Sequence, residues 1–154
     1  MKIDWQADIP NIQIFKDKML PRLGTFLDVN KLTFAEEGEW SVLIDHKNDL
    51  CFYVYPGEII LTFLTEHAHY YAFDYENGDK WLDMCCEDLK FLLSHSIKFE
   101  RVYHGKTETR TKLFSQSIDG KWKPYDGIMI SMNILARIFN KKRIASDIIE
   151  FRQQ

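Results

Sequence analysis

Cysteine is scarce in this chain: Cys51, Cys85 and Cys86 are an odd number without CxxC spacing. A bridge between the neighbours Cys85 and Cys86 would strain both peptide and disulfide geometry, so reduced, structural thiols are expected. The seven glycines are dispersed at turns, and neither GxGxxG nor GxxxxGKS/T occurs. Nucleotide-driven chemistry is therefore disfavoured. HExxH and GxSxG are also missing, which disfavours the common metalloprotease and α/β-hydrolase readings. Four prolines and seven glycines are too few for low complexity. Apolar runs such as Ile59-Ile60-Leu61 fall far short of the roughly 18 residues a membrane span needs. Met1 to Asp8 carries one lysine with no apolar run behind it, unlike a signal peptide. The expectation is a soluble, cytoplasmic protein without a membrane partner.

What is present is a core. The 154 residues are 45% hydrophobic and 14% aromatic, and a chain of about 150 residues buries roughly 70% of its unfolded surface without disulfide or metal. No internal repeat or linker is visible, so residues 1–154 read as one domain. The formal net charge of −3 conceals a division: residues 1–95 hold 8 basic and 17 acidic side chains, residues 96–154 hold 12 and 6. Such asymmetry favours either two surfaces with different partners or a protein whose halves attract each other.

Asp8-Ile9-Pro10-Asn11 has the form of a helix start, with an Asx side chain to accept an orphan N–H and proline where no donor is needed. Ile12, Phe15, Met19 and Leu23 recur at steps of three and four up to Gly24, predicting a helix near 11–22. From Glu39 the period becomes two. Trp40, Val42 and Ile44, the Lys47-Asn48-Asp49 turn, then Leu50, Phe52 and Val54 predict a hairpin ended by Pro56-Gly57. Glu58 to Thr65, apolar on both faces, predicts a central strand, and His67 to Tyr75 an aromatic fourth strand ended by Glu76-Asn77-Gly78. A four-stranded antiparallel meander results.

Asp79 then caps an amphipathic helix with Leu82, Cys85, Cys86, Leu89, Leu92 and Leu93 on one arc; Asp79, Asp83 and Glu87 form a separate acidic stripe. Ile97 to His104 and Thr107 to Gln116 predict a basic hairpin around Gly105-Lys106. Ser131 to Phe151, with Met132, Leu135, Ile138, Phe139, Ile144, Ile148 and Ile149, predicts one broken or two short helices. The fold class is α+β: an antiparallel meander and a later hairpin packed against amphipathic helices.

His67 and His69 have strand spacing that puts both rings on one side, the geometry of a metal-ligand pair. No third ligand stands at a diagnostic spacing, so ring packing beside Tyr71 and Phe73 is expected, and no metal or cofactor. Cys85 and Cys86 lie well inside the helix on its leucine face, where a thiol acts as a small hydrophobe rather than a nucleophile. His104 with Lys106, Arg101 and His46 imitates a metal-independent nuclease. Arg101, Lys106, Arg110, Lys112, Lys121 and Lys123, with Tyr103 and Trp122 interleaved, supply cations and stacking rings for nucleic acid, and this is the alternative function. The acidic half is the other coherent feature: Glu36, Glu37, Glu39, Asp45 and Asp49, then Asp74, Glu76, Asp79, Asp83 and Glu87, beside Tyr71, Tyr75 and Trp81. Such a surface suits a basic protein partner, charge setting the encounter rate and aromatic anchors the buried contact.

The plan as a whole, an N-terminal helix, the aromatic meander from Trp40 to Tyr75, the helix in Asp79-Lys80-Trp81-Leu82-Asp83-Met84-Cys85-Cys86-Glu87, a late hairpin and a terminal helix, resembles the small immunity proteins of bacterial polymorphic and contact-dependent growth inhibition toxin systems. The resemblance lies in architecture, with no invariant motif to transfer. It implies a non-catalytic protein that neutralises one cognate toxin, often a basic nuclease. On this chain the expected partner-binding residues are Asp74, Tyr75, Glu76, Asp79, Asp83 and Glu87.

Overall fold

The computed structural model describes residues 2–6, 8–34, 41–64, 66–74, 76, 78–125 and 142–152. The fold is α+β, with two antiparallel sheets in two compact units, Met1–Leu93 with Phe151–Gln154 and Ser94–Glu150. No helix among the described residues is long and apolar enough to cross a membrane.

In the first unit a helix starts over Pro10–Ile14 (α1), widens over Phe15–Met19 and resumes over Leu20–Leu23 (α2). The wide turn precedes Pro21, which has no N–H to return to the preceding turn. The expected Asx cap is not used: the N-cap is Ile9, without a side-chain bond. Packing of Ile12, Phe15, Met19 and Leu23, all buried, holds the segment instead. Gly24 ends it at φ 57°, a conformation glycine adopts without steric cost.

Five strands follow in chain order: Thr33–Phe34 (β1), Ser41–Asp45 (β2), Leu50–Tyr55 (β3), Glu58–Phe63 (β4) and Glu66–Tyr71 (β5). The meander thus gains the two-residue β1, too short to carry a periodic signal. Val42 stands opposite Phe52, Phe52 opposite Leu61 and Leu61 opposite Ala68. This row, with Val54, Ile59 and Tyr70, forms the buried face. The Phe15 and Phe52 rings meet at 6.0 Å, which places the first helix on that face. β4 is interior to the sheet but covered on one side only, Ile60 and Thr62 remaining half-exposed, contrary to the expected two-sided burial. The fourth strand is also shorter than expected, because the chain turns over Ala72–Asp74 after the Ala72 N–H bonds the Gly57 carbonyl at 2.9 Å.

Lys80–Ser94 (α3) buries Leu82, Cys85, Cys86, Leu89 and Leu92, the predicted stripe. The buried Tyr70 hydroxyl donates to Asp88 at 2.6 Å, fastening α3 to β5. Phe151 returns to this unit edge-on to Phe63, 6.2 Å between centroids. Beside it lies a buried charge. The Asp45 carboxylate, fully enclosed, accepts from the Lys47 N–H (2.9 Å), the Asn48 side-chain amide (2.7 Å) and the Arg152 N–H (2.9 Å).

The second unit is a four-stranded sheet of Ser96–His104 (β6), Thr107–Gln116 (β7), Trp122–Tyr125 (β8) and Lys142–Glu150 (β9), in the order β8-β7-β6-β9. The β6–β7 hairpin turns at Gly105-Lys106 as expected, with Gly105 at φ 65°. β9 corrects the predicted terminal helix: residues 142–150 pair with β6 from Ser96↔Glu150 to His104↔Lys142. A spacing of four, as in Ile144 and Ile148, fits both helical and strand periods, and β-branched side chains tip the balance when a strand edge is available. The remainder of that predicted helix, 131–141, lies outside the described residues, as does Trp40.

Candidate protein-binding surface

Of the six expected partner-binding residues, Asp79 and Asp83 are engaged within the first unit. Arg22 of α2 donates to Asp83 at 2.7 Å and to Asp79 at 3.1 Å, and Lys18 stands 3.8 Å from Asp79. A third bond runs from Arg22 to the Lys18 carbonyl at 2.6 Å. Burial works against the Arg22 charge, but the two carboxylates outweigh it and hold its pKa above the ordinary value. The front of the acidic stripe is thus a clamp between α2 and α3. Glu87 is exposed and paired with Lys90 at 2.8 Å, one helical turn on. Asp45, expected on the acidic surface, is buried, and Trp81, expected as an exposed anchor, is buried against the core side of α3. Trp81 stands four residues before Cys85 and eleven before Leu92, so the helical period puts it on the buried arc. Glu36, Glu37 and Glu39 lie outside the described residues.

Asp74 and Glu76 are exposed, immediately after β5; Tyr75 lies outside the described residues. Next to them is a feature absent from the expected site. His67, His69 and Tyr71 of the end strand and Phe73 of the turn that follows it form a continuous row of rings: His67 meets His69 edge-on at 5.1 Å, His69 stacks on Tyr71 at 5.6 Å, and Tyr71 stacks on Phe73 at 5.0 Å. The ring packing expected for the two histidines is what the strand displays. His69 Nδ1 lies 2.7 Å from Glu58 Oε1 and 3.1 Å from the Tyr71 hydroxyl. Partial burial, then the hydrogen bond and negative charge of Glu58 and the charge of Asp74, raise the Tyr71 pKa. Phe73, at the end of the row, is 80% exposed. A large apolar ring left in water, held by stacking rather than by burial, is the form of an anchor awaiting a pocket. The alternation of rings in 67–73 was the sequence signal for it.

The thiols offer no competing chemistry. Burial pushes Cys85 well above the ordinary thiol range and Cys86 to about 12, so neither is a thiolate near neutral pH. No group of three His, Cys, Asp or Glu placed to hold a metal occurs among the described residues.

In the second unit Arg101 and Lys121 of the basic set are held in ion pairs. Arg101 pairs with Asp147 at 3.0 Å and approaches Glu108 at 4.0 Å. Lys98 bonds Glu100 at 2.9 Å while its ammonium lies 4.4 Å from the Phe114 centroid and 5.5 Å from that of Trp122. Arg143 stands over Tyr103 at 4.6 Å. Cations of the same sheet therefore cover the two rings that a nucleic-acid base would stack on. Lys121 pairs with Asp119 at 3.4 Å, and hydrogen bonding from Ser117, outweighing burial, holds the Asp119 carboxyl below its usual range. Comparison of the chain with protein-family models, with curated proteins and with solved structures gives no match.

Proposed function

We propose that this chain is a non-catalytic protein-binding module, a cytoplasmic immunity protein that neutralises a basic toxin domain by docking its Phe73 ring into the toxin surface. The observation that carries this reading is the pre-ordered, solvent-facing Phe73 at the end of the stacked row, flanked by the exposed carboxylates Asp74 and Glu76. An anchor already held in one orientation loses little side-chain freedom on binding, and the adjacent negative charge favours cationic partners on encounter. Of the six expected residues the contact keeps Asp74 and Glu76 at the turn after β5 and leaves out Asp79 and Asp83, which serve the α2–α3 clamp.

The test is capture of the partner from the native host, its identification by mass spectrometry, and direct binding to it by calorimetry and stopped flow. Phe73→Ala is expected to weaken binding by about 2 kcal/mol, roughly thirty-fold, through a faster dissociation rate. Asp74→Lys with Glu76→Lys is expected to slow association and flatten its dependence on salt. Wild-type affinity and rates in both variants would remove this surface from the interface.

A further inference from the structure

We infer that the chain forms a two-fold homodimer by antiparallel pairing of β9 with β9 of a second copy. β9 is nine residues long, ends its sheet, and has no strand on its outer side among the described residues. Proteins protect such an edge with a bulge, a proline, a very short strand, charged side chains or a covering element. β9 has no bulge or proline, and its register with β6 runs unbroken through nine consecutive pairs; the charges it does carry, Lys142 and Glu150 at opposite ends of one face, are of opposite sign.

The side chains say what fits the edge. Strand alternation places Lys142, Ile144, Ser146, Ile148 and Glu150 on one face, and all five are exposed, Ile144 at 53% and Ile148 at 63%. The row is complementary to its own reverse. With a two-fold axis at Ser146, Lys142 faces Glu150 of the second copy, which also accepts from its own Ser96 hydroxyl at 3.2 Å, and Ile144 faces Ile148, each contact occurring twice, while Ser146 faces itself once on the axis, as an isologous interface requires. Opposite charges and apolar pairs directly across an antiparallel ladder both favour pairing. Sliding the register by two residues sets Lys142 against Ile148 and Ile144 against Ser146, losing both ion pairs and both apolar pairs of this face; the Arg143–Asp147 pairs it creates on the other face join groups already engaged, Arg143 over Tyr103 at 4.6 Å and Asp147 with Arg101 at 3.0 Å. The row therefore specifies one register as well as one kind of partner. On the other face Arg143 meets Ile149 and Ala145 meets Asp147, whose carboxylate is already satisfied by Arg101 at 3.0 Å. This interface uses the second unit and is independent of the Phe73 surface.

The experiment is sedimentation of the full chain between about 1 and 200 µM, beside Lys142→Glu, Glu150→Lys and their equimolar mixture, with circular dichroism and unfolding midpoints to verify that each variant is folded. The wild type is expected to dimerise within this range and each single variant to associate at least ten-fold more weakly. The mixture is expected to recover the dimer, since one chain then carries a carboxylate at both ends of the row and the other an ammonium at both ends. A wild type monomeric throughout, folded single variants that dimerise as well as the wild type, or a mixture of folded variants that stays monomeric would each overturn the proposal.

Discussion

Replacing Asp45 by alanine tests the buried carboxylate that joins the β2–β3 turn to the returning chain. Three donors converge on it: Oδ1 accepts from the Lys47 N–H, Oδ2 from the Asn48 amide and the Arg152 N–H. Hydrogen bonds to a charged group contribute about 1.5 to 3 kcal/mol each, so the gross loss is roughly 4.5 to 9 kcal/mol. Part of this is offset, because the variant no longer desolvates a carboxylate, a cost of several kcal/mol. Lys47 and Arg152 are exposed, so water replaces part of what they lose, whereas Asn48 is buried and its amide stays dry. The expected net destabilisation is about 3 kcal/mol, a large share of the roughly 5 to 15 kcal/mol that holds a domain together. Asp45→Asn keeps the shape and one carbonyl oxygen, but its NH2 must face a donor at one oxygen position. It is expected to cost less, about 1 to 2 kcal/mol. Urea unfolding followed by tryptophan fluorescence measures both. A loss below about 0.5 kcal/mol for alanine, or an asparagine variant less stable than the alanine variant, refutes the account.

Arg22→Ala releases Asp79 and Asp83, and with these partners largely solvated it should cost only about 1 kcal/mol in thermal or chemical unfolding. The same variant should associate faster with a cationic partner at low salt, which stopped flow can read. Tyr70→Phe, which strips a donor from the buried Asp88, should destabilise by about 2 kcal/mol in urea unfolding and leave sheet content unchanged by circular dichroism. For Cys86 the folded-state pKa, about 12, exceeds the ordinary 9.0 of the unfolded chain. The unfolded state therefore releases its proton first, stability falls as pH rises from 9 towards 12, and the loss reaches about 4 kcal/mol. Cys86→Ala should make that alkaline decline shallower; an identical decline in the variant would contradict the assignment.

Much of the architecture was legible because local signals agreed with the tertiary result. The Gly105-Lys106 turn between two alternating runs fixed the β6–β7 hairpin, and the Leu82 to Leu92 stripe fixed α3. β9 was illegible because Ile144 and Ile148 satisfy both periods, and only the presence of β6 decides between them. The site was legible in composition and misplaced in detail. Carboxylates at 79 and 83 look free from sequence, and their partner Arg22 lies 57 and 61 residues away, a separation at which sequence carries no signal of contact. The alternation of rings over 67–73 marks Phe73 in the sequence, but its exposure emerges only from the end of the strand at Tyr71.

The pairing of Ser96 with Glu150 has a consequence for the chain as a genetic object. Paired strand residues lie about 5 Å apart, so both ends of the second unit leave and rejoin the chain at one point. Residues 94–150 are in that sense an insertion, closed at its base, with the first unit's sequence resuming at Phe151. Joining Leu93 to Phe151 through a short glycine-containing linker tests whether the first unit folds alone, with Phe151 against Phe63 and the Arg152 N–H on Asp45. The shortened protein would carry 9 basic against 17 acidic residues. The modest net charge of the whole chain is thus the sum of a strongly acidic first unit and a basic second one.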